Sequence, residues 1–276
     1  MASAMKLIAD SGSTKTHWAF LSEKGVEAEV FTSGLNPNHV SEETALDEIK
    51  KASLKNMPVS EIFFYGAGCG KEENKVKVRV WLSNVFSINS ITVETDMLGA
   101  ARSLSNGGTS FIAILGTGSN ACLFDGEKII HAFPSPGFEK GDEGSGGYIG
   151  KKLLEDYASH RMPVDLTEQF YYQSGKKPAQ IMDKLTARYA ASHLPFIREN
   201  IHHPWFYSLV KNAFKEFLEK TICSFPGYEN YPVHFTGSVA FYFSEILHEA
   251  ANEKMVRIEK IKASPMEGLA EYHLTN

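Results

Sequence analysis

The sequence predicts an α/β protein of two lobes, and three observations carry that expectation. A strand, a turn of small residues and a returning strand occur at 6–10, Ser11-Gly12-Ser13 and 14–21. The same unit returns about a hundred residues later, at 111–115, Gly116-Thr117-Gly118-Ser119 and 121–124. Elsewhere short β-branched and aromatic runs alternate with segments of helical periodicity, the mark of α/β architecture. Finally, 276 residues at 43% hydrophobic composition can bury more than one core, since single domains run roughly 100–200 residues. The recurrence is a duplication, not a short-period solenoid.

In the first lobe Gly12 sits in a tight turn and is free to take a positive φ. A third strand at 26–32 precedes the polar loop Gly34-Leu35-Asn36-Pro37-Asn38. Ser41 is placed to cap a helix through about Ser53, with Glu42 and Glu43 in the turn where negative charge is favoured. The run 62–65 reads as a buried strand that exits into Gly66-Ala67-Gly68-Cys69-Gly70. A helix over 72–85 and a strand over 91–95 follow, and Asp96 stands where that strand gives way to a helix over 97–104.

In the second lobe Asp125-Gly126 turns the chain into a strand over 128–133. The Pro/Gly-rich stretch 134–147 is longer than loops inside compact domains usually are without a function. From 148 to 252 the pattern is mainly helical, interrupted near Pro163, Pro178, Pro195, Pro204 and Pro226-Gly227. Within it a strand over 231–235 leads through Thr236-Gly237-Ser238 into a helix over 239–252. A strand over 257–261 and a short helix after Pro265 close the chain.

Charge and composition narrow the function. The formal net charge is −5 and the isoelectric point about 6.1, which argues against nucleic acid or an anionic membrane as partner. Residues 1–7 contain no apolar targeting core, and no apolar run approaches the ~20 residues that span a bilayer. Cys69, Cys122 and Cys223 are far apart and form no C-x-x-C, which suits a reducing compartment. The expected location is the cytoplasm.

Four motifs can carry chemistry. In Asp10-Ser-Gly-Ser-Thr-Lys-Thr16, a turn of Gly12, Ser13 and Thr14 aims backbone N–H groups at one place, as an anion requires. Asp10 at the strand end can hold Mg²⁺ directly or through water, and Lys15 can meet a phosphate as a point charge. Gly116, Thr117 and Gly118, followed by Ser119 and Asn120, repeat that chemistry in the second lobe. Alone, either motif is equally an exposed hairpin; together they describe two phosphate turns facing across a cleft. In Thr236-Gly-Ser-Val-Ala240, Gly237 lets a flat ligand approach the backbone beside Ser238, although an ordinary helix start explains it as well. In Thr95-Asp96-x-x-Gly99-Ala100, Asp96 occupies the strand edge where α/β ligands bind. It can take a proton from an attacking hydroxyl, or simply cap the helix.

In this order and spacing the motifs resemble the N-acetylglucosamine kinase and BadF/BadG/BcrA/BcrD ATPase family of the actin/hexokinase superfamily, over residues 7–272. Ser33-Gly-Leu-Asn-Pro37, Gly141-Asp-Glu-Gly-Ser145 and Ser264-Pro-Met-Glu-Gly268 add to the likeness, and the bacterial branch of provisionally named sugar kinases is the nearest in pattern. The resemblance implies a two-lobed fold with a ribonuclease H-like motif and a mixed sheet in each lobe, the lobes being 1–104 with 264–276, and 105–263. It implies an ATP-dependent kinase that phosphorylates a primary hydroxyl of N-acetylglucosamine or a related amino sugar. Asp96 is then the general base, and Asp10 holds Mg²⁺. Gly12, Ser13, Thr14, Gly116, Thr117 and Gly118 hold phosphates, while Gly237 and Ser238 border the adenosine. Asn36, Asn120 and Asp142 bind sugar hydroxyls, a role suited to side chains that accept, or both donate and accept, hydrogen bonds.

Two departures are visible. Animal N-acetylglucosamine kinases carry Gly-Trp-Gly ahead of Gly-Asp-Glu-Gly-Ser, where this chain has Ser135-Pro136-Gly137, leaving Phe133 or Phe138 as the substitute aromatic. The cysteines also do not fall where the cluster-binding ATPase activators of the family place theirs. Two rivals to the kinase are an ATPase driving a partner protein and a non-catalytic sugar sensor; a homodimer is compatible with all three. His202-His203-Pro204 reads as a helix junction, and Phe206, Tyr207, Phe214 and Phe217 as core or dimer contacts.

Overall fold

In the computed structural model, residues 5–53, 57–183 and 185–275 are described. Most of the segment 1–7 read for a targeting core, and the terminal Asn276, lie outside them. The elements run β1 (Met5–Ser11), β2 (Lys15–Ser22), β3 (Gly25–Ser33), α1 (Glu42–Ala52), β4 (Val59–Gly66), α2 (Glu72–Phe86), β5 (Ile91–Thr95) and α3 (Asp96–Leu104). They continue with β6 (Ser110–Leu115), β7 (Ser119–Phe124), β8 (Ile129–Ala132), α4 (Gly146–Ala158), α5 (Val164–Ser174), α6 (Ala187–Ala191), α7 (Leu194–Glu199) and α8 (Pro204–Lys220). The chain closes with β9 (Val233–Thr236), α9 (Ser238–Tyr242), α10 (Ser244–Glu253), β10 (Ile258–Lys262) and α11 (Met266–Thr275).

Both five-stranded sheets follow one topology. The first has the order β3-β2-β1-β4-β5 and the second β10-β9-β6-β7-β8. Counted from its own opening strand, each sheet is therefore arranged third, second, first, fourth, fifth. β1 pairs antiparallel with β2 and parallel with β4, and β6 pairs parallel with β9. The duplication expected from the sequence is thus present at the level of strand order.

Burial on both faces explains why β1 is central. Leu7 and Ala9 enter a core with Trp18, Phe20, Ile49, Phe64 and Trp81. Ile8 points the other way, into a cluster with Tyr65, Met266, Leu269 and Ala270. In the second sheet Phe111, Ala113 and Leu115 enter a large core built with α4, α5, α8 and α10. By contacts the chain divides into two compact units, Met1–Gly108 with Phe124–Ile129 and Ser264–Asn276, and Thr109–Leu123 with Ile130–Ala263. Phe206, Phe214 and Phe217 are core residues of the second unit, and His203 caps α8 by accepting the Trp205 N–H at 3.1 Å.

Local chemistry sets several boundaries. Ser41 caps α1 by accepting the Thr44 N–H, as expected. At α3 the cap is Thr95, whose Oγ1 accepts the Leu98 N–H at 3.1 Å; Asp96 is the first helical residue, so the alternative of Asp96 as the cap is corrected. The single helix expected over 239–252 is two: Phe243 leaves helical geometry and is buried in the core of the second unit. The helical region is interrupted near Pro195 as expected: α6 ends at Ala191 and Pro195 lies in the first turn of α7, where the N–H it lacks would be unpaired anyway.

Candidate functional site

In the first unit β1 ends on Asp10 and Ser11, and the turn at 12–14 is closed by Gly12 N–H donating to the Lys15 carbonyl at 3.0 Å. Gly12 does not take a positive φ, and a Cβ there would meet only Lys15 O at an ordinary 3.7 Å. The residue that must be glycine is Gly34. A Cβ on it would fall 2.4 Å from Gly12 O and 2.5 Å from the Ser13 carbonyl carbon. A hydroxyl relay fastens the same place: Ser11 and Thr16 are 2.8 Å apart, Thr16 donates to Ser33 O at 3.0 Å, and Ser11 accepts Leu35 N–H at 3.0 Å. The sequence singled out the turn but not this brace behind it; Ser11, Thr16 and Gly34 carry no separate signal until β3 is known to return beside β2.

Asn36 is buried, with Oδ1 accepting the Asn38 N–H at 3.0 Å and Nδ2 3.4 Å from Ser13 Oγ. Gly68, at φ +84°, lies so close that a Cβ would meet Asn36 Oδ1 at 2.3 Å. Asn74 completes the support by donating to Asn38 Oδ1 at 3.0 Å and Gly68 O at 2.8 Å. Lys15 extends over the exposed Phe31, its Nζ 4.8 Å from the ring centre.

Asp10 and Asp96 are half-buried and electrostatically coupled. Burial and then the Asp96 charge push the Asp10 carboxyl up to about 7, opposed by Lys15. Burial also raises Asp96, against the hydrogen bonds its carboxylate accepts from Met97 N–H, at 2.9 Å, and its own N–H. The pair offers hard oxygen donors, and among the described residues no group of three or more His, Cys, Asp or Glu could cage a metal. That set fits Mg²⁺, which binds through one or two carboxylates and completes its shell with water and phosphate. It does not fit a thiolate-held cluster: burial pushes the Cys69 and Cys122 thiols up to about 12, which keeps them protonated at neutral pH.

In the second unit the turn at 116–118 is closed by Gly116 N–H donating to Gly118 O at 3.0 Å. The first N–H groups of α4 brace it, Gly146 donating to Gly116 O at 2.8 Å and Gly147 to Thr117 O at 2.9 Å. Asp142, at φ 57°, directs its carboxylate at this turn, where a Cβ on Gly118 would sit 3.1 Å from Oδ2. Its carboxyl is raised by burial, against hydrogen bonds from Ser119 N–H and the Ser135 hydroxyl. Asn120 lies in β7, where its Oδ1 accepts the Ala121 N–H at 2.9 Å. Gly237, at φ +109°, is pressed on β6: a Cβ would fall 2.3 Å from Leu115 O and 3.2 Å from Gly116 N. The missing side chain therefore serves a close contact with the neighbouring strand. Phe133 is buried with Phe111, while Phe138 is half-buried beside Gly147 and under Lys151.

Two five-stranded sheets of identical strand order, each with a braced turn after its opening strand, define the two-lobed actin/hexokinase-type α/β ATPase fold. No protein-family model matches the chain, and no curated protein does at the significance required. Solved structures do. A Porphyromonas gingivalis protein provisionally named an N-acetylglucosamine kinase is 35% identical, with 99% of each chain covered and a TM-score of 0.91. A Chromobacterium violaceum protein with the same provisional name is 16% identical over 99% of each chain, at a TM-score of 0.76. A Streptomyces griseus glucokinase of the ROK family, solved with glucose and AMPPNP, is 13% identical over 97% of this chain and 98% of its own, at 0.64. The chain belongs to the N-acetylglucosamine kinase and BadF/BadG/BcrA/BcrD ATPase family.

The brace behind the first turn makes a paired prediction. Gly34→Ala should lower the thermal midpoint by several degrees, since overpacking costs about 1–3 kcal/mol. Gly12→Ala should change it little. Equal midpoints for both variants would contradict the close contact.

Asp10 sets a pH dependence. Its carboxyl is raised in the folded state from 3.8 to about 7, so the folded protein binds a proton that the unfolded chain has released between those values. Stability attributable to Asp10 therefore falls as pH rises from about 4 to about 7. Asp10→Asn should unfold at a higher temperature than the parent above pH 7, and the gap should close towards pH 4. A gap that widens in acid would reverse the assignment.

Proposed function

We propose that this protein is an ATP-dependent kinase that transfers the γ-phosphoryl group to a primary hydroxyl of a small sugar, N-acetylglucosamine or a related amino sugar. The carrying observation is the coupled pair of carboxylates, Asp10 pushed up to about 7 and Asp96 raised beside it. Two carboxylates whose environments strain their charge suit the division that phosphoryl transfer needs, one for a metal ion and one for a proton. Full-length likeness to a provisional N-acetylglucosamine kinase supports the sugar, and the glucokinase solved with glucose and AMPPNP supports the substrate class and the nucleotide at the level of fold. An ATP-using enzyme with free, protonated thiols suits the cytoplasm.

In this reading Asp96 accepts the sugar hydroxyl proton as the oxygen attacks phosphorus. Asp10 holds Mg²⁺, directly or through water, and the ion supplies charge neutralisation at the phosphates. Gly12, Ser13 and Thr14, with Lys15, and Gly116, Thr117 and Gly118 give phosphate oxygens their N–H partners; Gly237 and Ser238 border the nucleoside. Asn36, Asn120 and Asp142 orient sugar hydroxyls with the hydrogen-bonding capacity left after their own backbone contacts. Braced turns suit catalysis because donors held in place need no reorganisation as charge develops.

Asp96→Asn should lower kcat by about 10²–10⁴-fold with little change in the KM for ATP, the size expected for loss of a general base. Near-normal turnover would remove Asp96 from the mechanism. A coupled assay with ATP and N-acetylglucosamine, glucosamine or glucose tests the substrate. Turnover of N-acetylglucosamine is expected, with loose discrimination at C2 because Pro136 offers no aromatic face and the ring of Phe138 lies under Lys151. No turnover of any of the three would refute the proposed substrate class.

A further inference from the structure

The start of α2 grips two loops of the first unit. Val78, Trp81 and Leu82 fix the helix in the first core, and Asn74 and Lys77, neighbours at the i, i+3 spacing, tie the loop at 36–38 to it. Lys77 Nζ donates to Pro37 O at 2.9 Å. Asn74, only 9% exposed, donates from one nitrogen to Asn38 Oδ1 at 3.0 Å and to Gly68 O at 2.8 Å. One buried amide thus joins the exits of β3 and β4, which lie far apart in sequence. Backbone groups at both ends of this network fix the direction of every amide in it. Gly68 O only accepts, so the Asn74 atom beside it is nitrogen, and the Asn38 atom meeting that same nitrogen is oxygen. The Asn38 N–H only donates, so Asn36 turns its oxygen to it, at 3.0 Å. Asn36 Nδ2 is left 3.4 Å from Ser13 Oγ, so what Asn36 can offer a ligand there is a donor.

We infer that Asn74, assisted by Lys77, is a positioning residue that sets the affinity for the sugar by holding loop 36–38, and with it the Asn36 amide, in place. This rests on the kinase reading, in which Asn36 meets a sugar hydroxyl. The effect falls on the loop and not on the helix, because Val78, Trp81 and Leu82 keep α2 in the core when the clamp is cut. It also spares the nucleotide. The turn at 12–14 is closed by its own bond from Gly12 N–H to Lys15 O and backed by Gly34, so it keeps its shape without α2. A donor fixed before the ligand arrives loses little freedom on binding, and freeing it weakens binding without touching the chemical step.

Steady-state kinetics on the full chain with ATP and N-acetylglucosamine test this. Asn74→Ala should raise the KM for the sugar by about 5- to 50-fold, the size of two lost hydrogen bonds, and leave kcat and the KM for ATP within about twofold. Asn74→Asp keeps the size of the side chain but sets a carboxylate against Gly68 O, so it should do at least as badly. A parental sugar KM in Asn74→Asp would mean that the residue only fills space, and overturns the inference. In an Asn36→Ala background, Asn74→Ala should cost less than about twofold more, because it acts through Asn36; fully additive losses overturn that route. Should Asn74→Ala prove too unstable to assay, Lys77→Met cuts the clamp at an exposed residue and should raise the sugar KM by about 2- to 5-fold. Sugar and ATP KM values rising in step, or neither rising, overturn the clamp while the kinase reading stands. If the parent protein phosphorylates no sugar, the kinase reading falls and this inference with it.

Discussion

Backbone packed against backbone, closer than any Cβ would permit, is the constraint on which both candidate half-sites depend. In the first unit Gly34 lies against the carbonyls of Gly12 and Ser13; in the second Gly237 lies against Leu115 and Gly116. Each contact holds the exit of an opening strand from behind and leaves the turn no room to collapse. Hydrogen bonds then fix direction, through the Ser11–Thr16 relay in one unit and the α4 N–H groups of Gly146 and Gly147 in the other. Such turns are preorganised, because the conformational entropy of ordering them is lost on folding and not on binding.

Asp96 is positioned by a second set of contacts that reaches to the end of the chain. Gly99 brings α3 onto β4 so closely that a Cβ would stand 2.8–2.9 Å from the Tyr65 ring. The Tyr65 hydroxyl receives the Arg102 guanidinium and faces His273 Nε2, each at 2.9 Å. Burial, with the charges of Lys6 and Arg102, holds His273 down at about 4, so it stays neutral and bridges without importing a charge. Gly268 fits α11 against Ser103, where a Cβ would be 2.1 Å from the carbonyl oxygen. The carboxylate at the head of α3 thus inherits its place from a helix formed by the last residues of the sequence.

Much of this was legible in the sequence because it is local. The strand–turn–strand pattern, the Ser41 cap and the strand at 91–95 follow from periodicity and capping chemistry, and the duplication from the recurrence of that pattern. What escaped is what only tertiary contact decides. Gly12 reads as a turn glycine free to take a positive φ, which it does not take, whereas Gly34, in a loop more than twenty residues later, is the one without room for a side chain. Gly237 reads as a glycine that admits a ligand, and only the folded chain shows that its backbone also meets β6 too closely for any side chain. The helix after it reads as continuous because its periodicity is unbroken, and nothing local announces that Phe243 exchanges helical geometry for burial. Asp10 and Asp96 were legible as candidates by position, but their coupling needed β1 and β5 to be brought into one sheet.

The duplication also explains why the two units differ in chemistry. Aligned on their turns, Asp10-Ser11-Gly12 corresponds to Ile114-Leu115-Gly116, and Thr16 to Asn120. Ile114 is half-buried, as Asp10 is, so the same strand position carries a strained carboxylate in one unit and an alkyl group in the other. The hydroxyl relay of Ser11 and Thr16 has no counterpart at Leu115, and there the brace comes from helix N–H groups. Two copies of one topology have therefore kept the turn and its support while dividing the polar chemistry.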